Sequence, residues 1–403
     1  MKFDFPASYQ LVPAELVAAR VEALAAACRK SRLAAMVLTA ATDIYYATGS
    51  MQQGVAVIPA QGPARFLARR HSGRATAESR VPVVAISGLG EVAAHLLEVL
   101  PAQARLGFCL DLLSARDLRG WQQRLPGMEI VDAAPALLRV KGVKDAFERE
   151  MMVKSGALAA EVYDLLPRWL TPGVSEIAVA SRMVGAAIAR GHVDLLRTRG
   201  SFMEPYTWHL VSGPEGAVPG AIDAAFAGYG LSPAFPQGAS AKPLRPHEPI
   251  LVDFTVCLAG YQTDQTRTYC LGSAPDPVHR AHEALVAVEN ALLDGLRPGA
   301  VSGELFDLSV QVAADHGMAE VFLGRKSQRT KFVAHGLGLE LGAPPYLLKG
   351  GKERVRAHEA YALELKIVLD EGPVGLENTI IVNPEGPPTL TCPVPSRLIE
   401  LPL

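Results

Sequence analysis

The sequence contains no C-x-x-C pair, no surplus of either charge, and no apolar run near the ~20 residues that a membrane-spanning helix needs. Its five cysteines, at positions 28, 109, 257, 270 and 392, lack the spacing of a disulfide framework and read as reduced, buried thiols of a cytoplasmic protein. A formal net charge of -2 leaves no basic field, so neither nucleic acid nor an anionic membrane is an expected partner. The first residues, Met1-Lys2-Phe3-Asp4-Phe5-Pro6, carry an early acid and no apolar stretch, which argues against a signal peptide. What is present is the material for a large core: 403 residues, 49% hydrophobic and 20% charged. That length exceeds what one hydrophobic core usually supports, so two domains are expected.

Apolar residues at Val17, Val21, Leu24 and Cys28 recur at helical spacing within Ala14–Lys30. Strands are predicted at 34–39, Val55–Pro59, Arg65–Ala68, Pro82–Ile86, Leu106–Leu110 and Met128–Asp132, with a helix over Glu91–Leu100. Alternating helix and strand describes an α/β domain of ordinary size, and nothing in it groups histidines, cysteines or acids at metal-like spacing. The chain turns charge-rich between Leu137 and Glu150 and enters a helix expected to end near Trp169, which sets the domain boundary at 142/143. Beyond it, Leu170-Thr-Pro-Gly-Val-Ser175-Glu176 and Leu296-Arg-Pro-Gly-Ala-Val-Ser302-Gly-Glu304 each separate two helices, with Ser175 the expected N-cap. Each helix pair precedes a pair of acid-bearing strands, which predicts an internal duplication of about 120 residues. The stretch from Arg197 to Lys242 is rich in glycine, proline and aromatics and reads as a pocket-shaping loop carrying Tyr206, Trp208 and His209; a plain surface loop is the alternative.

The chemistry concentrates between Pro249 and Val382. Asp253 and Asp264 are eleven positions apart, so a turn near Leu258–Gly260 makes them opposite or diagonal neighbours on paired strands. Unpaired like charges so close destabilise a sheet, and their same-face neighbours Thr255 and Thr266 offer no positive partner. A divalent cation would neutralise them, since hard cations prefer carboxylate oxygen. Glu364 and Glu377 are thirteen apart, with Asp370-Glu-Gly-Pro as the turn, and repeat the argument. His335 lies between the two pairs in His-Gly-Leu-Gly, where absent side chains leave room near the backbone. Two metals bridged by carboxylates fit four acids and one imidazole, and such a pair supports metal-assisted hydrolysis. Taken singly, each acid reads as a residue of a solvated face and the histidine as a hydrogen-bonded one; the joint arrangement favours the metal reading. The basic run Lys349-Gly-Gly-Lys-Glu-Arg-Val-Arg356 reads as a solvated loop that could border a pocket.

At these residues the chain resembles the creatinase/aminopeptidase P/prolidase family of metallopeptidases, over nearly its whole length. The motifs are Val252-Asp253-Phe, Gly260-Tyr-Gln-Thr-Asp264-Gln-Thr-Arg-Thr268, His335-Gly-Leu-Gly-Leu-Glu-Leu341 and Leu376-Glu377-Asn. The resemblance implies an α+β fold: an N-terminal α/β creatinase-like domain (1–142) followed by a duplicated pita-bread catalytic domain (143–403). It implies a homodimer with two divalent ions per chain, manganese first, with cobalt, iron or zinc as alternatives. Asp253 would hold one ion, His335 and Glu364 mainly the other, and Asp264 and Glu377 would bridge them. Glu364 and His335 would be catalytic, Glu364 as proton acceptor. Apart from the resemblance, the loop residues His209, Tyr206 and Trp208 are the candidates for substrate contact. The implied activity is that of a dinuclear exopeptidase or dipeptidase of the Xaa-Pro aminopeptidase or prolidase type.

Three positions depart from the family pattern. A second histidine expected seven residues after His335 is Gly342, and an arginine expected two residues before Glu377 is Gly375. A loop histidine upstream of Asp253 has no counterpart in Pro236-Gln-Gly-Ala-Ser-Ala-Lys242. These departures keep open a metal-dependent hydrolase or lyase of a small non-peptide molecule. A non-enzymatic binding protein on the same fold is a further alternative, although such proteins usually lose the ligands.

Overall fold

The computed structural model describes residues 3–200, 206–220 and 224–403. The chain divides into two compact units, Met1–Phe147 and Glu148–Leu403, a few residues beyond the boundary read from composition. In the first unit the order is α1 (Ala14–Lys30), β1 (Ala35–Leu38), α2 (Ala41–Thr48), β2 (Gly54–Pro59), β3 (Arg65–Arg69), α3 (Ser72–Glu78), β4 (Val83–Ile86), α4 (Leu89–Val99), β5 (Arg105–Phe108), α5 (Ala115–Arg124), β6 (Glu129–Asp132) and α6 (Ala134–Gly142). The strands form one mixed sheet in the order β4-β3-β2-β1-β5-β6. Short apolar strands such as Ala35–Leu38, buried at every position, show why the strand signal was clear. The sequence reading missed α2, which is buried on almost every side and so shows no polar–apolar period. It missed α5 for the opposite reason, since only Trp121 of that helix is buried.

The second unit begins along α7 (Ala146–Tyr163) and continues with α8 (Glu176–Ile188), β7 (Trp208–Ser212), the short α9 (Gly213–Gly216), β8 (Pro249–Leu258), β9 (Tyr261–Leu271), α10 (Asp276–Gly295), α11 (Ser302–Asp315), β10 (Phe332–Gly336), β11 (Ala343–Leu348), β12 (Ala360–Val368), β13 (Pro373–Ile381), β14 (Thr389–Leu390) and β15 (Ile399–Leu401). Helix α7 stops before Trp169: a separate 3-10 turn takes over at Leu166–Arg168, where Pro167 has no N–H to continue the ladder. The order helix, helix, strand pair occurs twice, as the duplicated motifs predict. One sheet runs β11-β10-β12-β13-β9-β8-β7, with β14 on β13 and β15 on β9. Two glycine-rich readings need correction. Trp208–Ser212 is a strand in register with Ile250–Phe254, so an Arg197–Lys242 segment read as loop contributes an edge to the sheet; its residues 201–205 and 221–223 lie outside the described residues. Ser175 does precede α8 but makes no capping hydrogen bond; the Glu176 carboxylate instead accepts from Ser212 and Ser240.

Each half of the unit has its own core. Leu158, Val162 and Met183 of α7 and α8 pack on Ile250, Val252, Phe254 and Val256. Val278, Leu285 and Leu292 of α10 pack with Leu363, Leu365, Ile367 and Leu376. Side chains alternate across a strand, so once Val252 and Phe254 face the helices, Asp253 and Thr255 face the other way. The same holds for Glu364 and Lys366 beside Leu363 and Leu365. The helices thus dictate which sheet face is free for chemistry. The β8–β9 hairpin closes through Ala259 and Gly260, both at positive φ (51° and 89°), a two-residue turn whose twist matches paired strands.

One buried group on the helical side makes a pH prediction. His282 of α10 is buried, its Nε2 has no hydrogen-bond partner among the described residues, and burial, aided by Arg267 and His279, lowers its pKa to about 4. The unfolded chain binds this proton below its ordinary value near 6.5, so stability attributable to a neutral His282 is present above that value and is lost as pH falls towards 4. At roughly 1.4 kcal/mol per pKa unit the loss is about 3 kcal/mol. Denaturant unfolding measured across that window should show this slope in the wild type and a flatter one in His282→Leu. Equal slopes would refute the assignment.

Candidate metal centre

The strand registers bring four of the five expected metal-binding residues together. Glu364 and Glu377 are directly opposite each other on β12 and β13. Glu377 pairs with Thr266 of β9, and Thr255 pairs with Asp264, which makes Asp253 and Asp264 diagonal rather than opposite. His335 enters from β10, in register with Ala362 of β12. One donor atom from each of Asp264, His335, Glu364 and Glu377 lies within 4.8 Å of the others. Asp253 stands outside that group.

The local hydrogen bonds orient these donors. Thr255 donates to Asp264 Oδ1 (2.9 Å) and Thr266 to Glu377 Oε2 (2.7 Å). His335 Nδ1 is 3.2 Å from the Gly336 carbonyl, and its Nε2 is 3.5 Å from Glu364 Oε1. Fixing one ring nitrogen on a carbonyl is the usual way of turning the other towards an ion. Glu377 is fully buried, and its Oε1 has no hydrogen-bond partner among the described residues. An orphaned, buried carboxylate oxygen in a ring of three oxygen ligands and one imidazole fits a divalent cation.

The electrostatics point the same way. Burial, and then the charges of Asp253 and Glu364, push Asp264 up to about 8. Burial, with Asp264 and Glu364, pushes Glu377 well above the carboxylate range. Burial alone would raise Glu364 too, but Lys366 and then His335 overcome it and hold that carboxylate well below its ordinary value. Burial would lower His335, yet Glu364 and Asp264 reverse the direction and raise it. Two acids forced towards protonation beside a third held ionised describe a site that lacks positive charge.

Part of that charge comes from a residue the sequence reading overlooked. Lys366 Nζ donates to Glu377 Oε2 at 2.9 Å, to Asp253 Oδ2 at 3.2 Å and to Thr266 Oγ1, and it lies 3.3 Å from Glu364 Oε2. The statement that the aspartates lack a positive partner therefore holds along β8 and β9 and fails in space. The signal was available in Glu364-Leu-Lys366, because period two turns Lys366 to the face of Glu364.

A cavity of about 580 Å³ opens on these residues. Its wall includes Asp253, Asp264, His335, Glu364 and Lys366, as well as Tyr206, Trp208 and His209. His209 pairs with Asp253 across β7 and β8, and its Nδ1 is 2.8 Å from the Tyr206 hydroxyl. Its Nε2 is buried without a partner among the described residues, and burial lowers its pKa. The Tyr206 ring meets Trp208 and Phe235 edge-on at 5.1 and 5.3 Å. Gly342 also lines the cavity, and a Cβ there would meet nothing within 4 Å. Lys331 and Lys349 lie on the same wall, so the basic run does border the pocket.

A helix-backed duplicated sheet, with carboxylates and one histidine on its free face, is the architecture of a pita-bread metallohydrolase. The chain belongs to metallopeptidase family M24, whose model matches residues 150–384, and residues 20–142 match the creatinase/prolidase N-terminal domain. The expectations of a metallopeptidase and of an α+β creatinase-type fold therefore hold. The chain is 28% identical to the probable dipeptidase PepE of Mycobacterium tuberculosis over 97% of its own length and 98% of that protein. Its structure is similar to the dipeptidase PepE of Mycobacterium ulcerans (26% identity, TM-score 0.80, covering 98% and 100% of the two chains). It also resembles a Xaa-Pro dipeptidase from Bacillus anthracis in fold (21% identity, TM-score 0.81, covering 96% and 100%). Among the described residues, no helix is long and apolar enough to cross a membrane.

Proposed function

We propose that this chain is a metal-dependent dipeptidase or aminopeptidase of the Xaa-Pro type, with residues 143–403 as its catalytic domain and 1–142 as its creatinase-like N-terminal domain. The observation that carries this reading is the convergence of Asp264, His335, Glu364 and Glu377 within 4.8 Å beside a cavity whose size suits a small ligand. These four would hold a divalent ion, and a dinuclear form would add a second on Asp253, with Asp264 and Glu377 shared. The oxygen-rich donor set suits manganese, and accepts cobalt, iron or zinc. A bound ion would polarise the scissile carbonyl and make water acidic enough to ionise near neutral pH.

The protein's own groups supply the rest. Glu364, held ionised by Lys366 and His335, accepts the proton of the attacking water. His209, kept neutral by burial and steadied by Tyr206, offers Nε2 to the substrate. Trp208 backs that pair, and Lys331 and Lys349 carry the charge that a dipeptide carboxylate would meet. Five buried, free cysteines support a cytoplasmic location. The homodimer comes from the family resemblance, and sedimentation checks it.

The test is a panel of short peptides, with and without proline at the second position, assayed on protein stripped of metal and reloaded with manganese, cobalt, iron or zinc. Hydrolysis should depend on reloading and favour Xaa-Pro bonds. A protein that binds metal but cleaves no peptide would favour the second reading, a hydrolase or lyase of a small non-peptide molecule. The open wall at Gly342, where a peptidase of this family presents a histidine, speaks for that alternative.

A further inference from the structure

We infer that the Lys366 ammonium takes the place of one of the two metal ions, so that the centre pairs a single divalent ion with a built-in cation. The inference rests on the metal-dependent reading above and goes beyond it by specifying how many ions the site takes. Three observations carry it.

The first is the division of the five ligands. Asp264, His335, Glu364 and Glu377 share one point in space, whereas Asp253 lies outside that group and directs Oδ2 to Lys366 Nζ at 3.2 Å. A second ion would have to sit between Asp253 and the shared carboxylates Asp264 and Glu377. The ammonium already bonds Asp253 and Glu377 Oε2 (2.9 Å), and it is backed by Thr266 Oγ1. Its three N–H bonds thus find carboxylate and hydroxyl acceptors in the space where a hard cation would seek oxygen.

The second is steric. Lys366 is directly opposite Gly375 on β13. A Cβ at 375 would come within 2.6 Å of Leu251 Cδ1, 2.8 Å of Thr266 Cγ2 and 3.0 Å of Lys366 Cδ. Leu251, Thr266 and the lysine stem together fill the volume that a side chain at 375 would need, and its absence leaves room for the stem to pass over β13 towards β9 and β8. The missing side chain at 375 and the lysine at 366 belong together, facing each other across a single cross-strand pair.

The third is charge. With an ion bound and all four ionised, Asp253, Asp264, Glu364 and Glu377 carry four negative charges, and Lys366 is buried against three of them. One divalent ion and the ammonium compensate three of them. Two divalent ions with the ammonium still in place would force like charges into contact.

The experiment loads the stripped, full-length protein with Mn(II), removes free ion, and measures manganese per chain by mass spectrometry alongside the Mn(II) electron paramagnetic resonance spectrum. Wild type should hold one ion per chain and show the spectrum of an isolated centre. Lys366→Met should take up a second ion, doubling the metal content and giving an exchange-coupled signal. Asp253→Asn should keep the wild-type content, because Asp253 serves the lysine. That variant tests the inference even if Lys366→Met does not fold. Two coupled ions in the wild type, or loss of an ion in Asp253→Asn, would overturn the inference while leaving metal-dependent hydrolysis standing. Failure of folded Lys366→Met to gain an ion would overturn it too. A wild type that takes up no manganese and cleaves nothing would instead remove the reading on which it rests.

Discussion

Asp264→Asn is expected to abolish hydrolysis and to empty the metal site while leaving the fold intact. Asp264 lies at the meeting point of β8, β9 and β13: Thr255 donates to its Oδ1, and its backbone N–H bonds Thr379 Oγ1 at 2.8 Å. An asparagine can keep the Thr255 bond through its amide oxygen, so the hairpin should close as before. What changes is the second atom of the side chain, which becomes an N–H donor pointed at a cation. Burial already drives the aspartate towards its protonated form in the ion-free site, with a pKa of about 8, so removal of the charge costs the unliganded fold little. A Lewis acid contributes several kcal/mol to the transition state, so its loss should lower kcat/KM roughly 100- to 1000-fold or more. Metal analysis and peptide hydrolysis on the reloaded variant, with thermal unfolding as the control for folding, check this. Undiminished turnover would rule out the metal centre as the reacting site.

The second large effect concerns stability. Arg267 is fully buried beneath the site, and its guanidinium donates to the carbonyls of Thr266, Glu377 and Val394 and to Asn378 Oδ1 at 2.8, 2.7, 2.6 and 2.8 Å. A further bond reaches the Pro395 carbonyl at 3.1 Å. This one side chain ties β9 to β13 and both to the segment that follows β14, directly behind Glu377. Arg267→Met would fill part of the volume but orphan several buried acceptors, each costing about 1–3 kcal/mol, a total of about 3–5 kcal/mol once some of them find other partners. Equilibrium unfolding should therefore show a loss of about that size, together with weaker metal retention because Glu377 loses its support. A variant as stable as the wild type would mean that Arg267 is not the tie the geometry describes.

How much of this was legible in the sequence depended on how local the signal was. Asp253 and Asp264 could be assigned to one hairpin because the turn at Ala259-Gly260 is local, yet their diagonal relation was a matter of register. Glu364 and Glu377 could be paired across Asp370-Glu-Gly-Pro for the same reason, and they are directly opposite. Trp208–Ser212 was read as loop because its neighbours are glycine and proline, while its strand state comes from pairing with β8, some forty residues away. Lys366 was overlooked although two positions from Glu364, because its partners lie on other strands: Asp253 on β8, Thr266 on β9 and Glu377 on β13.

By itself the sequence determined the α/β character of the first domain, the repeated helix–helix–hairpin frame and the pairing of the candidate acids, since each rests on periodicity, turn chemistry or short spacing, while the α+β fold as a whole came from the resemblance of its motifs. Only the tertiary structure decided that four of the five candidate ligands share one point, that Asp253 answers to Lys366, and that Gly375 opens the way between them. Residues far apart in the chain meet through the register and curvature of a sheet, and those are set by the packing of α7, α8, α10 and α11 against its other face.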